Sequence, residues 1–194
     1  MIESKAFYRK IELVFAGSER ARTRERFALR IAPRLLEQLG GPLGLVAVHL
    51  YERRTHKIIA AKRWGEGRPD LHEELATRLH PEGADPIREL PWVGDTAAGR
   101  TGLFAVGGLD GPLIAVFPAS PDGVRMVPTR AELLSALNSI VYAIRQRLER
   151  GRLEDLFEQA RTIQMSLLPP GRREFAGFAI YADSTPAQSV GGDL

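Results

Sequence analysis

The residues best placed for chemistry stand near the C-terminal end, where Gly191-Gly192-Asp193 follows Pro186-Ala187-Gln188-Ser189-Val190. Two glycines let the backbone come close to a ligand, and the carboxylate offers oxygen to a hard cation. One Asp does not hold Mg2+ or Mn2+, each of which takes several oxygen ligands. The four histidines offer no second centre. His72 and His80 share a helical face, but their separation spans about 12 Å of helix, too far to grip one ion. His49 sits inside an apolar run, as a core or pocket residue, and His56 sits in a polar connector. No G-x-S-x-G elbow, Walker loop or dinucleotide fingerprint occurs. Trp64, His72 and Trp92 are candidate pocket-lining residues between a sheet and its helices, with ordinary core packing as the competing account of each.

Composition narrows the classes. The 194 residues are 44% hydrophobic and 26% charged, the balance of an ordinary globular chain. There is no cysteine, which excludes disulfides, thiolate metal sites and thioether-attached chromophores. No apolar run reaches the length of a membrane span, and MIESKAFYRK lacks a signal-peptide core, so a cytoplasmic location is expected. Arginines gather at Arg20, Arg22, Arg24, Arg26, Arg30 and Arg34, and again over 145–152, yet the net charge is only +3. Aromatics do not interleave with them, which disfavours nucleic acid as a partner and favours a solvated helix face.

The elements that position these residues follow from periodicity. Ile11, Leu13 and Phe15 alternate, as in a strand or a helix turn. Ser18 is a candidate N-cap, followed by Glu19 and by apolar residues from Ala21 to Leu39 at three and four. Pro33 predicts a kink or a second start, and Gly40-Gly41-Pro42 a stop. Leu43–Tyr51 and Lys57–Trp64 read as an antiparallel hairpin across a short polar connector. The first run is apolar on both faces, the mark of a central strand. Asp70 is expected to cap a short helix over 71–80, stopped by Pro81, with Glu73 and Glu74 in its first turn. Residues 81–100 read as a long connection. Thr101–Val106 and Leu113–Phe117 form a second hairpin, turning at Asp110-Gly111.

The last regular element is the longest. Thr129 and Glu132 form a capping box, and helix from there to Leu168 would run about 60 Å. Leu133, Leu137, Val141, Ile144 and Leu148 step at four and three, as do Leu153, Leu156, Ala160, Ile163 and Leu167. Between the two sets the phase breaks, and Gly151 sits in the gap, which predicts two helical segments meeting at a joint. Near-heptad spacing predicts a homodimer through this helix; packing on the sheet and on a following domain is the alternative.

Helices, two hairpins and more helices in this order give an α+β fold with a four- or five-stranded antiparallel sheet. That layout, with helices bracketing the sheet at both ends, resembles a GAF sensor domain, and PAS is its near rival. The expected organisation is a sensor over 1–128, a terminal helix and transmitter over 129–168, and the start of another domain over 169–194. A protein-binding or dimerisation scaffold that senses no small molecule is the alternative function.

The stretch Ala160-Arg161-Thr162-Ile163-Gln164-Met165-Ser166-Leu167-Leu168-Pro169, then Phe178-Ala179-Ile180-Tyr181, then Pro186-Ala187-Gln188-Ser189-Val190-Gly191-Gly192-Asp193, resembles the entry to SpoIIE/RsbU-type protein serine/threonine phosphatase domains. The resemblance covers about 35 residues, in family order and spacing. It implies that Asp193 is one carboxylate of a Mn2+ or Mg2+ site in the complete enzyme, with a phosphoserine regulatory protein, such as an anti-anti-sigma factor, as substrate. It also implies that the other acids lie beyond residue 194, so no cofactor is expected within 1–194. The 194-residue chain should therefore release no phosphate from a phosphoserine peptide with Mn2+; measurable metal-dependent turnover would contradict this.

Overall fold

The computed structural model describes residues 4–17, 23–54, 57–80, 82, 85–108, 110–119, 127–167 and 172–181. It divides into two compact units, Met1–Gln146 and Arg147–Leu194. The division falls inside the last helix, so the first half of that helix belongs with the sheet.

In the first unit, α1 (Ser4–Phe15) and α2 (Arg24–Leu43) precede the sheet. Of the two readings open for residues 11–15, the helical one is observed. Phe7, Ile11, Val14 and Phe15 are buried at helical spacing, and the Phe15 ring stacks on Phe27 of α2 at 6.1 Å. The second helix begins later than expected. Thr23, in extended backbone, accepts the Arg26 N–H on its hydroxyl at 3.2 Å, while Ser18 lies outside the described residues. Pro33 does not divide α2: the run is continuous, and buried Ile31, Ala32, Leu35 and Leu39 hold it against its neighbours. Gly40-Gly41-Pro42 does not end it either. The stop is Gly44, whose left-handed backbone (φ 59°) suits glycine and aims its N–H at the Gly41 carbonyl.

The sheet has five antiparallel strands in the order β2-β1-β5-β4-β3, so the α+β expectation is met. The first hairpin pairs β1 (Leu45–Arg54) with β2 (Lys57–Gly65) down to Arg54 opposite Lys57, with a bulge beside Leu50 and Tyr51. Next comes α3 (His72–Arg78). The 81–100 connection contains a strand instead of plain loop: β3 (Trp92–Thr96) pairs with β4 (Gly99–Ala105) as an edge. A Cβ at Gly94 would meet the Trp92 indole, so the strand lays its tryptophan over its own glycine. The second hairpin, β4 with β5 (Leu113–Pro118), forms as expected, closed by the Gly111 N–H on the Gly108 carbonyl at 3.0 Å.

Both faces of the sheet are covered. On one, Ala47, Tyr51, Leu103, Ala115 and Phe117 form a core with Leu71, Leu75, Ile87 and Ile58. The other carries Val116 and Gly102 against Leu133 and Leu137 of α4 (Arg130–Leu167). The capping box is present: the Glu132 N–H donates to the Thr129 hydroxyl at 3.2 Å, and the Thr129 N–H donates to the Glu132 carboxylate at 2.9 Å. These bonds hold the Glu132 carboxyl below its usual range. α4 is one uninterrupted helix through Gly151, so the phase break changes which face is apolar without breaking the backbone.

In the second unit, α4 runs on from Arg147, and β6 (Arg172–Phe175) pairs with β7 (Phe178–Tyr181) in a two-stranded sheet. Pro169–Pro170 and Pro186–Asp193 lie outside the described residues.

Gly102 marks where α4 meets the sheet. A Cβ there would sit 2.8 Å from Leu137 and 2.9 Å from Val116, closer than packed carbons approach. Gly102→Ala should destabilise the chain by about 1–3 kcal/mol in urea unfolding, although alanine suits a strand better than glycine. An unchanged midpoint would show that α4 docks less closely than this.

Candidate functional site

Among the described residues, the buried polar side chains His49 and Tyr51 lie on the α3 face of the sheet. A strand alternates its side chains, so His49 and Tyr51, two apart on β1, point to the same side. Both are buried, His49 to 1% exposure. The Leu71 N–H, at the entry to α3, donates to the Tyr51 hydroxyl oxygen at 3.2 Å. That oxygen lies 3.2 Å from His49 Nδ1. The assignment that gives the Tyr51 O–H an acceptor has it donate to Nδ1 and places the imidazole proton on Nε2. The His49 ring packs on Phe117 with centroids 4.5 Å apart. A chain of polar groups thus runs from the middle of the sheet to the first turn of α3.

Its electrostatics fix the protonation states. Burial, with the nearby Arg63 charge, lowers the His49 pKa to about 4 against the opposing pull of Asp70. Burial also raises the Tyr51 pKa to about 12, with the Leu71 N–H partly offsetting it. At neutral pH, His49 is an uncharged imidazole and Tyr51 keeps its proton. The pair reads hydrogen bonding without introducing a charge.

Around the pair, other contacts hold α3 in place. Asp70 is not the cap itself, since Leu71 occupies that position, but its carboxylate accepts the His72 N–H at 3.0 Å. The helix ends at Arg78, short of His80. Glu74 accepts the Ala97 N–H at 3.0 Å and pairs with Arg78 at 3.0 Å, joining α3 to the β3–β4 turn. The Arg78 guanidinium lies over the Trp92 ring, 5.6 Å from its centroid. α3 is therefore tied at both ends, to Tyr51 at one and to the edge hairpin at the other.

The three proposed lining residues do not converge. Trp64 pairs across the strands with Val48, and Val48 with Val116, which places it on the α4 side of the sheet, under Lys62. Trp92 pairs with Leu103 and packs on the α3 side. His72 opens α3 beside Asp70, while Trp92 lies by Arg78 at the other end, about 9 Å of helix away. Tyr51 was the residue that sequence reasoning missed. Its signal was the i, i+2 spacing from His49 within an apolar strand, which places two polar groups on one buried face.

Among the described residues, no three His, Asp or Glu side chains gather as a metal site. Asp193 lies outside them. The described part of the chain thus has no donor set for Mn2+ or Mg2+. Among the same residues, no helix is long and apolar enough to cross a membrane.

No family model matches the chain, and no curated protein matches it. Among solved structures it is similar to the GAF domain of a protein assigned as a sensor histidine kinase from Pseudomonas syringae pv. tomato. That match has 15% identity, 79% of this chain and 94% of that one covered, and a TM-score of 0.42. It is also similar to the GAF domain of a phosphoenolpyruvate-protein phosphotransferase from Coxiella burnetii, with 9% identity, 79% and 99% covered, and a TM-score of 0.42.

His49 makes stability depend on pH with a definite sign. The folded state holds this imidazole neutral to about pH 4, whereas the unfolded chain takes up a proton near 6.5. Stability is therefore full above pH 6.5 and falls as pH drops toward 4, by roughly 3 kcal/mol from this residue. His49→Gln keeps an acceptor for Tyr51 and should flatten that part of the urea-midpoint profile; parallel profiles would place the proton uptake elsewhere.

Proposed function

We propose that the first unit is a GAF-type sensor and that α4 transmits its state to a metal-dependent serine phosphatase of SpoIIE/RsbU type. The observation that carries the sensor reading is the buried His49–Tyr51–Leu71 chain. A small polar ligand that competes for the Tyr51 hydroxyl or the His49 Nε2–H would release the Leu71 N–H and free the entry to α3. The remaining ties, Glu74 to Ala97 and Arg78 to Trp92, then act as a hinge at the other end. Population would shift by the ligand's differential affinity for the two positions of α3 and by nothing else.

The output side of the reading rests on the motif residues. Ala160 to Pro169, Phe178 to Tyr181, and Pro186 to Asp193 resemble the opening of that phosphatase family, and this resemblance is what supports the output side. The reading assigns Asp193 as a metal ligand of the complete enzyme and a phosphoserine regulatory protein as its substrate, in a cytoplasmic setting. Gly151 lies within the continuous helix with open space around it, and as a glycine it is where α4 would bend most readily in carrying that shift.

A second reading is a scaffold that responds to a protein partner. It is favoured by how closed the α3 face is, with Tyr51, Leu71, Leu75, Leu103 and Phe117 fully buried. One experiment separates the two. Native mass spectrometry of the purified chain, followed by a thermal-shift screen of small polar metabolites, should identify a ligand whose stabilisation is lost in Tyr51→Phe. Stabilisation unchanged in Tyr51→Phe, or none with any compound, would favour the scaffold. For the output, Asp193→Asn in an enzyme extending past this segment should abolish Mn2+-dependent dephosphorylation; retained turnover would remove the phosphatase assignment.

A further inference from the structure

The two edges of the five-stranded sheet are unlike. β3 is five residues long, follows Pro91 and carries Gly94 and Asp95, features that discourage a further strand. β2 is nine residues long, has no proline, and has glycine only at its last position. Alternate residues of β2 turn their N–H and C=O away from β1. Among the described residues, nothing pairs with that outer edge.

The side chains along the edge form a pattern. Lys57 stands opposite Arg54 and Ile59 opposite Glu52; past the bulge, Lys62 stands opposite Leu50 and Trp64 opposite Val48. Residues two apart on β1 share a face, so Lys57, Ile59, Lys62 and Trp64 line up on the α4 side of the sheet. Cation and apolar residue alternate there. Both lysines are exposed, Ile59 is 41% exposed, and Trp64 is half-buried under the Lys62 ammonium. Arg63, opposite His49, adds an exposed cation on the other face. Glu52 does not neutralise them, being bonded to Arg54 at 3.1 Å. Among the described residues, no carboxylate pairs with Lys57, Lys62 or Arg63.

These charges select the occupant. A second β2 fits poorly, because three cations and no acid in nine residues make a shared edge repulsive. Nucleic acid would meet the cations but leave the amide and carbonyl groups of the edge unpaired. We propose that the outer edge of β2 takes an extended acidic segment of a partner protein as a sixth strand. Acid, apolar residue and acid on one face of that segment meet Lys57, Ile59 and Lys62, while main-chain bonds hold it in place. This surface goes beyond the sensor reading and holds whether or not the α3 face takes a small molecule.

The probe is a capped synthetic peptide with glutamate, valine and glutamate at every second position and threonine between them, titrated into the intact chain by fluorescence anisotropy. It should bind, and lysine in place of its glutamates should weaken binding about tenfold or more. The double variant Lys57→Glu, Lys62→Glu, changed only at exposed positions, should reverse that preference. Two further peptides carry N-methyl groups on alternate residues, one in each phase. Only the phase that blocks the edge facing β2 should abolish binding, whereas attraction by charge alone would treat both alike. Hydrogen exchange should slow along β2 and stay unchanged along β3. The proposal would be overturned by no binding of the glutamate peptide, by equal binding of the two methylated peptides, or by an unaltered preference in the double variant. Single-stranded DNA that protects the β2 amides as well as the peptide does would also overturn it.

Discussion

Every residue of β5 is buried, and its neighbour β1 is buried along most of its length. A sheet covered on both faces leaves no water for polar side chains in its middle, so each must find a partner inside the protein. His49 and Thr101 are the buried polar residues of this region, and Tyr51 brings a third polar atom. Thr101 is satisfied locally, by the Thr96 hydroxyl at 2.8 Å and the Gly99 carbonyl at 3.1 Å. His49 and Tyr51 cannot be satisfied locally, because backbone partners on β1 are already used in pairing β2 and β5. They turn to each other and then to Leu71, outside the sheet. The position of α3 thus completes a buried hydrogen-bond chain, alongside the burial of Leu71 and Leu75 and the ties of Glu74 and Arg78.

The same enclosure explains which parts of the fold were legible from residues alone. Strands β1, β4 and β5 announce themselves, because burial selects apolar runs such as Leu45–Leu50 and Leu113–Phe117, while β2, mostly exposed, shows by following β1 at hairpin spacing. The Thr129–Glu132 cap is equally plain, since two short-range bonds fix both residue types and their spacing. Ser18 and Thr23 are both good caps by type, and the start of α2 is fixed at Thr23 by its extended backbone and its bond from the Arg26 N–H. Strand β3 was hidden by Pro91, Gly94 and Asp95, which read as turn residues. At a sheet edge they are tolerated, as one side of the strand needs no partner.

Site residues were harder than elements. Trp64 and Trp92 look alike in sequence, and strand register alone sends them to opposite faces. His49 was visible as a polar residue within a strand, but its meaning depends on Leu71, twenty-two residues later, through a contact that no periodicity encodes. The long helix shows a further limit of pattern reading. Gly151 and the phase break predict a joint, yet the backbone runs through as one helix. What changes at residue 151 is the side of the helix that carries apolar residues, a property of side chains and not of the main chain.

The link from the sheet to α3 depends on the state of one imidazole. Nitrogen-15 NMR of His49 at pH 6.5, with hydrogen exchange at the Leu71 amide, reports it directly. The predicted result is a neutral ring protonated on Nε2, with a Leu71 amide as protected as those of β5. An imidazolium, a proton on Nδ1, or a Leu71 amide exchanging at the rate of an exposed loop would contradict the chain from sheet to α3.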